Sequence, residues 1–250
     1  MTVPVTVVIP TLDEAAQIAD CVRHLDWAGE VLVADGGSAD GTPDLARAAG
    51  ATVLAGAFAT IAAQRNAAIA RARHDWVFAL DADERVSPAL AGEIATVVAV
   101  PRHDVYRVRR RNVYLGREVR HGGWGRDWVS RLFRRERRYI ERRVHEGLGP
   151  LADAGALREP LDHTPYRDLA HHLRKVDRYS ALAVLDLADR GRRARLVDVV
   201  LRPPARFLWM YGVQLGLLDG WRGAVLAGFG AFSVFLKYAR LWELRHQTDA

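Results

Sequence analysis

Trp76-Val77-Phe78-Ala79-Leu80-Asp81-Ala82-Asp83-Glu84 sets five apolar residues directly before three acids in four positions. A short apolar run with no polar alternation fits a strand covered on both faces, the habit of parallel sheets. Outward from it the pattern repeats. Val5–Ile9 is another such run, ended by Pro10; Val31–Ala34 ends at Asp35-Gly36-Gly37-Ser38; Ala51–Leu54 is a further one. The intervening stretches carry helix signals. Thr11-Leu12-Asp13-Glu14 has the form of a capping box opening a helix to about Leu25. Thr42-Pro43-Asp44 supplies an N-cap, a proline at the first helical position and an acid in the first turn, and Gly50 closes that helix. Thr60–Arg73 is helical by its alanines, with Ile61, Ala68, Ile69 and Ala72 on one face, and Ser87-Pro88 begins another helix.

Strands and helices alternating in units of roughly 25 to 30 residues imply right-handed crossovers and a parallel sheet. Such sheets bind ligands beyond the carboxyl ends of their strands. Pro10-Thr11, Asp35-Gly36-Gly37 and Asp81-Ala82-Asp83 all fall at those ends, so the three clusters should converge on one edge. After Pro101 the pattern changes to short strands near Val105–Asn112, Val129–Phe133 and Tyr139–Val144; from Tyr166 it is helical, with breaks expected near Gly191 and Pro203-Pro204.

The chain has 250 residues, 50% hydrophobic and 26% charged, with one cysteine, which excludes disorder, collagen-like repeats and a disulfide scaffold. Cys21 has no intrachain partner, and the opening Met1-Thr2-Val3-Pro4-Val5 lacks a basic leader, so no signal peptide is read and a cytoplasmic address is expected. Charge is segregated. Residues 1–100 carry 6 basic and 13 acidic residues, whereas residues 106–145 carry 14 arginines and 4 acids. An acidic amino-terminal half suits a metal site; a basic middle suits phosphates, an anionic membrane or nucleic acid.

Asp81 and Asp83 place two carboxylates within reach of one hard cation, Mg²⁺ or Mn²⁺, which prefers oxygen ligands and commonly keeps a diphosphate as co-ligand. Taken alone, the same residues also read as a turn before the Ser87 cap. Glycines after Asp35 let backbone approach a ligand, and Gln64-Arg65-Asn66 reads either as a solvated face or as a cation presented to a nucleotide. Neither a dinucleotide Gly-x-Gly-x-x-Gly nor a Walker loop occurs.

Val8-Ile9-Pro10-Thr11-Leu12-Asp13-Glu14, Val33 to Thr42, Gln64-Arg65-Asn66 and Leu80 to Glu84, in that order and spacing, resemble a family 2 glycosyltransferase of GT-A fold. Arg131-Leu132-Phe133, Val144-His145-Glu146 and Leu218-Asp219-Gly220 resemble the subgroup that includes lipopolysaccharide-core glucosyltransferases of the WaaE/KdtX type. The resemblance implies an α/β GT-A domain over residues 1–165, with a nucleotide-binding half (1–100) and an acceptor half (101–165). A helical, membrane-interfacial region (166–250) would follow. It implies that Pro10, Thr11, Glu14 and Asp35 hold the nucleobase and ribose, with Arg65 near the nucleotide. Asp81 would contact ribose or donor sugar, and Asp83 would bind the metal, with His163 completing its shell. It makes Glu146 the base that takes the acceptor hydroxyl's proton in an inverting transfer. His145 competes for that role, since strand neighbours face opposite sides. Trp124 and Trp128 read as an acceptor platform or as core, and Arg131 as an acceptor or phosphate contact or as solvated surface. The expected partners are a nucleotide sugar, UDP-linked, a lipid-linked or saccharide acceptor, and an anionic membrane surface. No nucleic acid is expected.

Ala205–Leu236 is rich in Phe, Trp, Leu and Gly, with Arg206, Asp219 and Arg222 as its charges. Asp219-Gly220-Trp221-Arg222-Gly223 interrupts it, which favours two shorter helices in the membrane interface or in a hairpin over one spanning helix. Gly212, Gly216 and Gly220 recur every four residues and would permit close helix contact. A buried helical pair, in this chain or at a dimer contact, is the other reading. The expected location of the enzyme is cytoplasmic, peripheral on the inner face of the plasma membrane; the competing function class is a non-catalytic basic membrane- or nucleic-acid-binding protein on the same scaffold.

Overall fold

In the computed structural model, residues 2–140, 147–149 and 153–248 are described. They form two compact units, one of Met1–Arg110 with Trp128–His163, the other of Arg111–Asp127 with Thr164–Ala250.

The first unit is built on a sheet that runs β3-β2-β1-β4-β8-β6-β10-β5. Its amino-terminal strands β1 (Val3–Thr11), β2 (Ala28–Asp35), β3 (Thr52–Ala55) and β4 (Trp76–Ala79) are mutually parallel. Strands β8 (Trp128–Arg134) and β6 (Val105–Tyr114) continue it antiparallel, and β10 (Leu161–His163) pairs antiparallel with the short β5 (Glu84–Arg85). Strand alternation divides the core between two faces. Val5, Val7, Ile9 and Phe78 pack with Ile18, Val22, Leu90 and Ile94 on one side. Val8, Val77 and Phe133 pack with Ala62, Ala68 and Ile69 on the other. Those helical residues belong to α1 (Ile18–Arg23) and α4 (Pro88–Ala99) on the first face and α3 (Ile61–Arg71) on the second. Side chains such as Ile9 and Phe78 are fully buried, each stabilising the layer by about 1.5–3 kcal/mol. Thr60 and Ser87 cap α3 and α4, accepting from Ala63 N and Leu90 N.

Two local expectations are corrected. Thr11 does not open a helix: it is the last residue of β1, its hydroxyl lies against Ala34 O and Asp35 Oδ1, and α1 starts only at Ile18. Asp13 reverses the chain at φ 57°, which a short polar side chain tolerates. Thr42 heads α2 (Thr42–Ala48), but the cap position is Gly41, at φ 84°, and the Thr42 hydroxyl donates to Asp40 instead.

The second unit holds α5 (Leu169–Asp189), α6 (Leu196–Leu208), a π turn (Trp209–Val213), a 3₁₀ turn (Gly216–Asp219) and α7 (Gly220–Thr248). Helix α7 packs against both α5 and α6. His172 is stacked between Tyr166 and Phe229, with centroids 3.6 and 3.8 Å away, and its Nδ1 meets the Tyr114 hydroxyl at 3.0 Å. Gly191 ends α5 as expected, at φ 65°. Pro203 and Pro204, however, lie inside α6. Each proline removes only its own N–H, and the chain reverses later, between Gln214 and Gly220. The glycines there serve the turn, not a helix stripe: Gly212 faces open space, whereas a Cβ on Gly223 would collide with Gly216 O. Asp219 fixes this turn by accepting from His121 N at 2.8 Å and meeting His121 Nδ1 at 3.1 Å.

Candidate active site

At the carboxyl ends of β1 and β2 the register pairs Thr11 with Asp35. Asp35, 2% exposed, accepts from Gly37 N (3.0 Å), Ser38 N (2.9 Å), Ser38 Oγ (2.5 Å) and Thr11 Oγ1 (3.2 Å). These donors fill the four acceptor sites of a carboxylate, so Asp35 shapes the glycine loop from within. The loop is then stitched to the segment after β1. Asp13 N donates to Ser38 Oγ, Glu14 N to Thr42 Oγ1 and Ala15 N to Asp40 Oδ2, all at 2.8–2.9 Å. Pro10 is half-buried within β1, and the Glu14 carboxylate accepts from Gln17 Nε2 at 2.6 Å.

Helix α3 delivers two buried polar side chains to the same edge. Gln64 Nε2 donates to Thr11 O and Ala34 O, closing the gap between the two strand ends. Arg65 reaches Asp81 Oδ1 at 2.5 Å, its guanidinium 4.9 Å from the centre of the Tyr139 ring. The three polar clusters thus converge as the strand order requires.

Beyond β4 the acids form an ion cluster. Glu84, fully buried, accepts from Asp81 N (2.8 Å), Arg110 Nε (2.7 Å) and Arg131 Nη2 (2.6 Å). Arg110 and Arg131 also reach Asp81 Oδ2, at 3.0 and 2.5 Å. Burial alone would raise the Asp81 pKa, but the guanidiniums of Arg131, Arg65 and Arg110 overcome it and hold the carboxyl well below its usual range. About a quarter of the Asp81 side chain stays open to solvent (26%). Arg131, 4% exposed, is not a solvated surface arginine, because its guanidinium is enclosed between two carboxylates. Glu84, Arg110 and Gln64 are the site residues that the sequence reading gave no role. The thiol of Cys21 lies behind the cluster, 3.8 Å from Glu84 O, and burial pushes it up to about 12.

Asp83 lies beside His163. Pairing of β10 with β5 sets His163 opposite Glu84, bringing its Nε2 3.6 Å from Asp83 Oδ1. Burial, aided by Arg110, lowers the His163 pKa despite the neighbouring acids, which favours the neutral imidazole, the form in which histidine binds metals. A separation of 3.6 Å is less than two metal–ligand bonds of about 2.1 Å laid end to end, so one Mg²⁺ or Mn²⁺ fits between these donors. Among the described residues no cluster of three or more His, Cys, Asp or Glu is arranged for a metal. Asp83 and His163 are thus two donors among the described residues, and further positions would suit water and phosphate oxygens.

Trp128, 45% exposed, begins β8 in the first unit. Trp124 belongs to the second, packed edge-on to Tyr166 at 6.2 Å beside Tyr114, Val119 and Leu226, which is its core reading. Glu146 and His145 lie outside the described residues.

The sequence model of the family described as Glycosyl transferase family 2 matches residues 6–158. The lipopolysaccharide core biosynthesis glycosyltransferase LpsC of Rhizobium meliloti (strain 1021) is 30% identical over 257 residues, 99% of this chain and 94% of that protein. An uncharacterized glycosyltransferase of Rickettsia bellii (strain RML369-C) is 24% identical over 263 residues, 100% of this chain and 90% of that one. Among solved structures, S. aureus TarS 1–349 in complex with UDP-GlcNAc is similar with a TM-score of 0.53 at 14% identity, covering 99% of this chain and 92% of that chain. That likeness concerns the fold, a mixed and mainly parallel sheet flanked by helices.

Proposed function

The chain belongs to glycosyl transferase family 2 and is a glycosyltransferase, and from this premise we propose an inverting, divalent-cation-dependent enzyme. It would move a hexose from a nucleotide sugar, UDP-linked, to a lipid-linked or lipopolysaccharide-type acceptor at the cytoplasmic face of the membrane. The observation that carries the reading is the pair of donors Asp83 and His163, 3.6 Å apart, with Asp83 in the same loop after β4 as an Asp81 held ionised by three arginines. That LpsC is a lipopolysaccharide core biosynthesis glycosyltransferase supports the acceptor class, and the UDP-GlcNAc complex of TarS supports the donor class.

The residues divide the work by position. Thr11, Asp35 and Gln64 hold two strand ends and a glycine loop in one shape, against which a nucleobase and ribose would lie; Pro10 and Glu14 border it. The open quarter of Asp81 would accept a hydroxyl of ribose or donor sugar, its charge fixed by three arginines. Asp83 and His163 would hold Mg²⁺ or Mn²⁺, which offsets charge growing on the departing nucleoside diphosphate. Glu146 is assigned the proton of the acceptor hydroxyl as its oxygen attacks the anomeric carbon opposite the leaving group.

The non-catalytic reading has less support. It needs the arginines of residues 106–145 as an open basic surface, yet Arg110 and Arg131 are bound inward to Asp81 and Glu84. A thermal-shift screen of nucleotide sugars with and without Mn²⁺, followed by an assay of nucleoside diphosphate release, tests the proposal. A ligand at 100 times its Kd should stabilise by about 2.7 kcal/mol, a rise of several degrees. If no nucleotide sugar shifts the melting temperature in either condition, the proposal is wrong.

A further inference from the structure

Helix α6 is amphipathic in the inverted sense. Val199, Pro203 and Phe207, spaced four apart, are half-buried, and α6 packs on α7, with Arg202 lying 4.8 Å over the Tyr238 ring. The exposed side carries Leu196 (62%), Val197 (52%), Val200 (58%), Leu201 (59%) and Leu208 (66%), and no residue of α6 is fully buried. The apolar surface continues through the turn with Trp209, Val213, Leu217, Leu218 and Trp221, each 46% exposed or more. A helix of a water-soluble unit turns its apolar stripe to the core. A continuous apolar surface of this extent, ended by two tryptophans, marks a contact with something else.

Charge decides what that something is. Arg192, Arg193 and Arg195 are exposed immediately before the apolar row, and Arg202 and Arg206 follow within α6. The one acid of the helix, Asp198, is tied to Arg202 at 2.6 Å and to Arg195 N at 2.9 Å. The Lys237 ammonium, on α7, has its pKa lowered by burial and by Arg202 and Arg206, as expected where positive charge is gathered without enough acid. An apolar row with a basic border fits the acyl–headgroup boundary of an anionic bilayer; a symmetric contact with a second copy would set the same arginines near one another.

We infer that α6 and the turn after it form an in-plane anchor, which lays Leu196, Leu201, Leu208 and Trp209 into an anionic lipid surface while Arg192, Arg193 and Arg195 meet its head groups. The inference deepens the membrane-face reading above and rests on it only for the acceptor's location. It also differs from a spanning role for α7. Gly216–Leu244 is long and apolar enough to cross a membrane by length and composition. Yet the first turns of that segment hold Arg222, whose guanidinium donates to Leu115 O within its own unit.

The test is co-sedimentation of the full chain with vesicles of phosphatidylcholine alone or with 30% phosphatidylglycerol, a composition chosen to give about the charge of a bacterial leaflet. Binding is expected to the anionic vesicles, to weaken with salt, and to reverse in alkaline carbonate. The triple variant Arg192→Gln, Arg193→Gln, Arg195→Gln should bind on the order of a hundredfold more weakly, about fivefold per arginine. Leu201→Glu with Leu208→Glu should abolish binding. Far-UV circular dichroism monitors folding, and a milder pair, Trp209→Phe with Trp221→Phe, should lose most of the fluorescence quenching caused by brominated lipid chains. The inference is overturned if the wild type ignores anionic vesicles at low salt, or if the double Glu variant, still folded, binds as well as the wild type. Retention through carbonate would overturn it in favour of a spanning helix. Light scattering that shows a dimer dissolved by Leu201→Glu, Leu208→Glu, without vesicle binding, would overturn it in favour of a second copy. Vesicle binding without a nucleotide-sugar thermal shift would keep the anchor and sink the donor assignment.

Discussion

Replacing Arg131 by Met tests whether the ion cluster, and not merely apolar packing, holds the loop after β4. Arg131 is 4% exposed and bonds two carboxylates, Asp81 Oδ2 and Glu84 Oε1, the second fully buried. Removing one partner of a buried pair costs about 3–5 kcal/mol, since the other charge loses its compensation. Arg110 still reaches both acids, at 3.0 and 2.7 Å, which points to the lower end, about 3 kcal/mol. For a chain of this size that lowers the melting temperature by about 6–12 °C. The pH dependence carries the diagnosis. In the wild type Asp81 titrates well below its usual range, so its stabilisation is complete above the unfolded-chain value of about 3.9 and fades as the pH falls through the folded value. Without Arg131 the folded value moves back toward the ordinary one. The gap between the two proteins should therefore be widest at pH 7 and narrow below about pH 4. Calorimetry at pH 7 and pH 3.5 measures it. A second arm sharpens the test: Arg131→Met with Glu84→Met, which removes both charges, should recover at least half of the loss. A drop of under about 2 °C at pH 7, or an equal gap at both pH values, would refute the reasoning.

Asp83→Ala should abolish any Mn²⁺-dependent thermal shift with a nucleotide sugar, and His163→Ala should raise the Mn²⁺ needed for half-maximal shift about tenfold, read by titration. Glu146→Gln should leave the donor-induced shift intact while transfer falls by about 10²–10⁴-fold; normal transfer by this variant would remove the base assignment. In the second unit, burial between aromatic rings pushes His172 down to about 4. Between pH 6.5 and 4 the unfolded chain binds a proton there that the folded chain does not, so stability is lost as the pH falls through that window. His172→Phe should flatten the melting temperature across it, a slope that scanning fluorimetry resolves.

The strands β1 to β4 and the helices α2 to α4 were legible within a few residues, because continuous apolar runs and helical caps are local signals. The start of α1 was not. Thr11 to Glu14 has the composition of a capping box, but its hydrogen-bond partners, Asp35, Ser38 and Thr42, lie 24 to 28 residues away and outcompete the local alternative. The inward arginines were hidden for a related reason. The Arg131-Leu132-Phe133 motif marks Arg131 by resemblance, but nothing local in it shows that the guanidinium turns inward to Asp81 and Glu84. Arg110 did carry a faint signal, since two-residue alternation places it on the face of Tyr106 and Val108, both in the core. A register shift against β8 between Tyr106 and Arg107 blurs even that.

The segregated charge of the sequence gains its meaning from this pairing. An acidic amino-terminal half and a basic middle meet where Asp81 and Glu84 receive Arg110 and Arg131, so part of each excess is cancelled inside the first unit. Asp83 has the His163 imidazole as a neighbour, 3.6 Å away. Two protein donors alone would bind a hard divalent cation weakly, because such ions give up their hydration shells only to several oxygen ligands. A diphosphate would bring those oxygens and further negative charge. On the proposed reading, cation and donor should therefore enter as linked ligands, each raising the affinity for the other by the same factor. An Asp81 held by three arginines would favour this linkage, leaving the cation to depend on the donor's own phosphates.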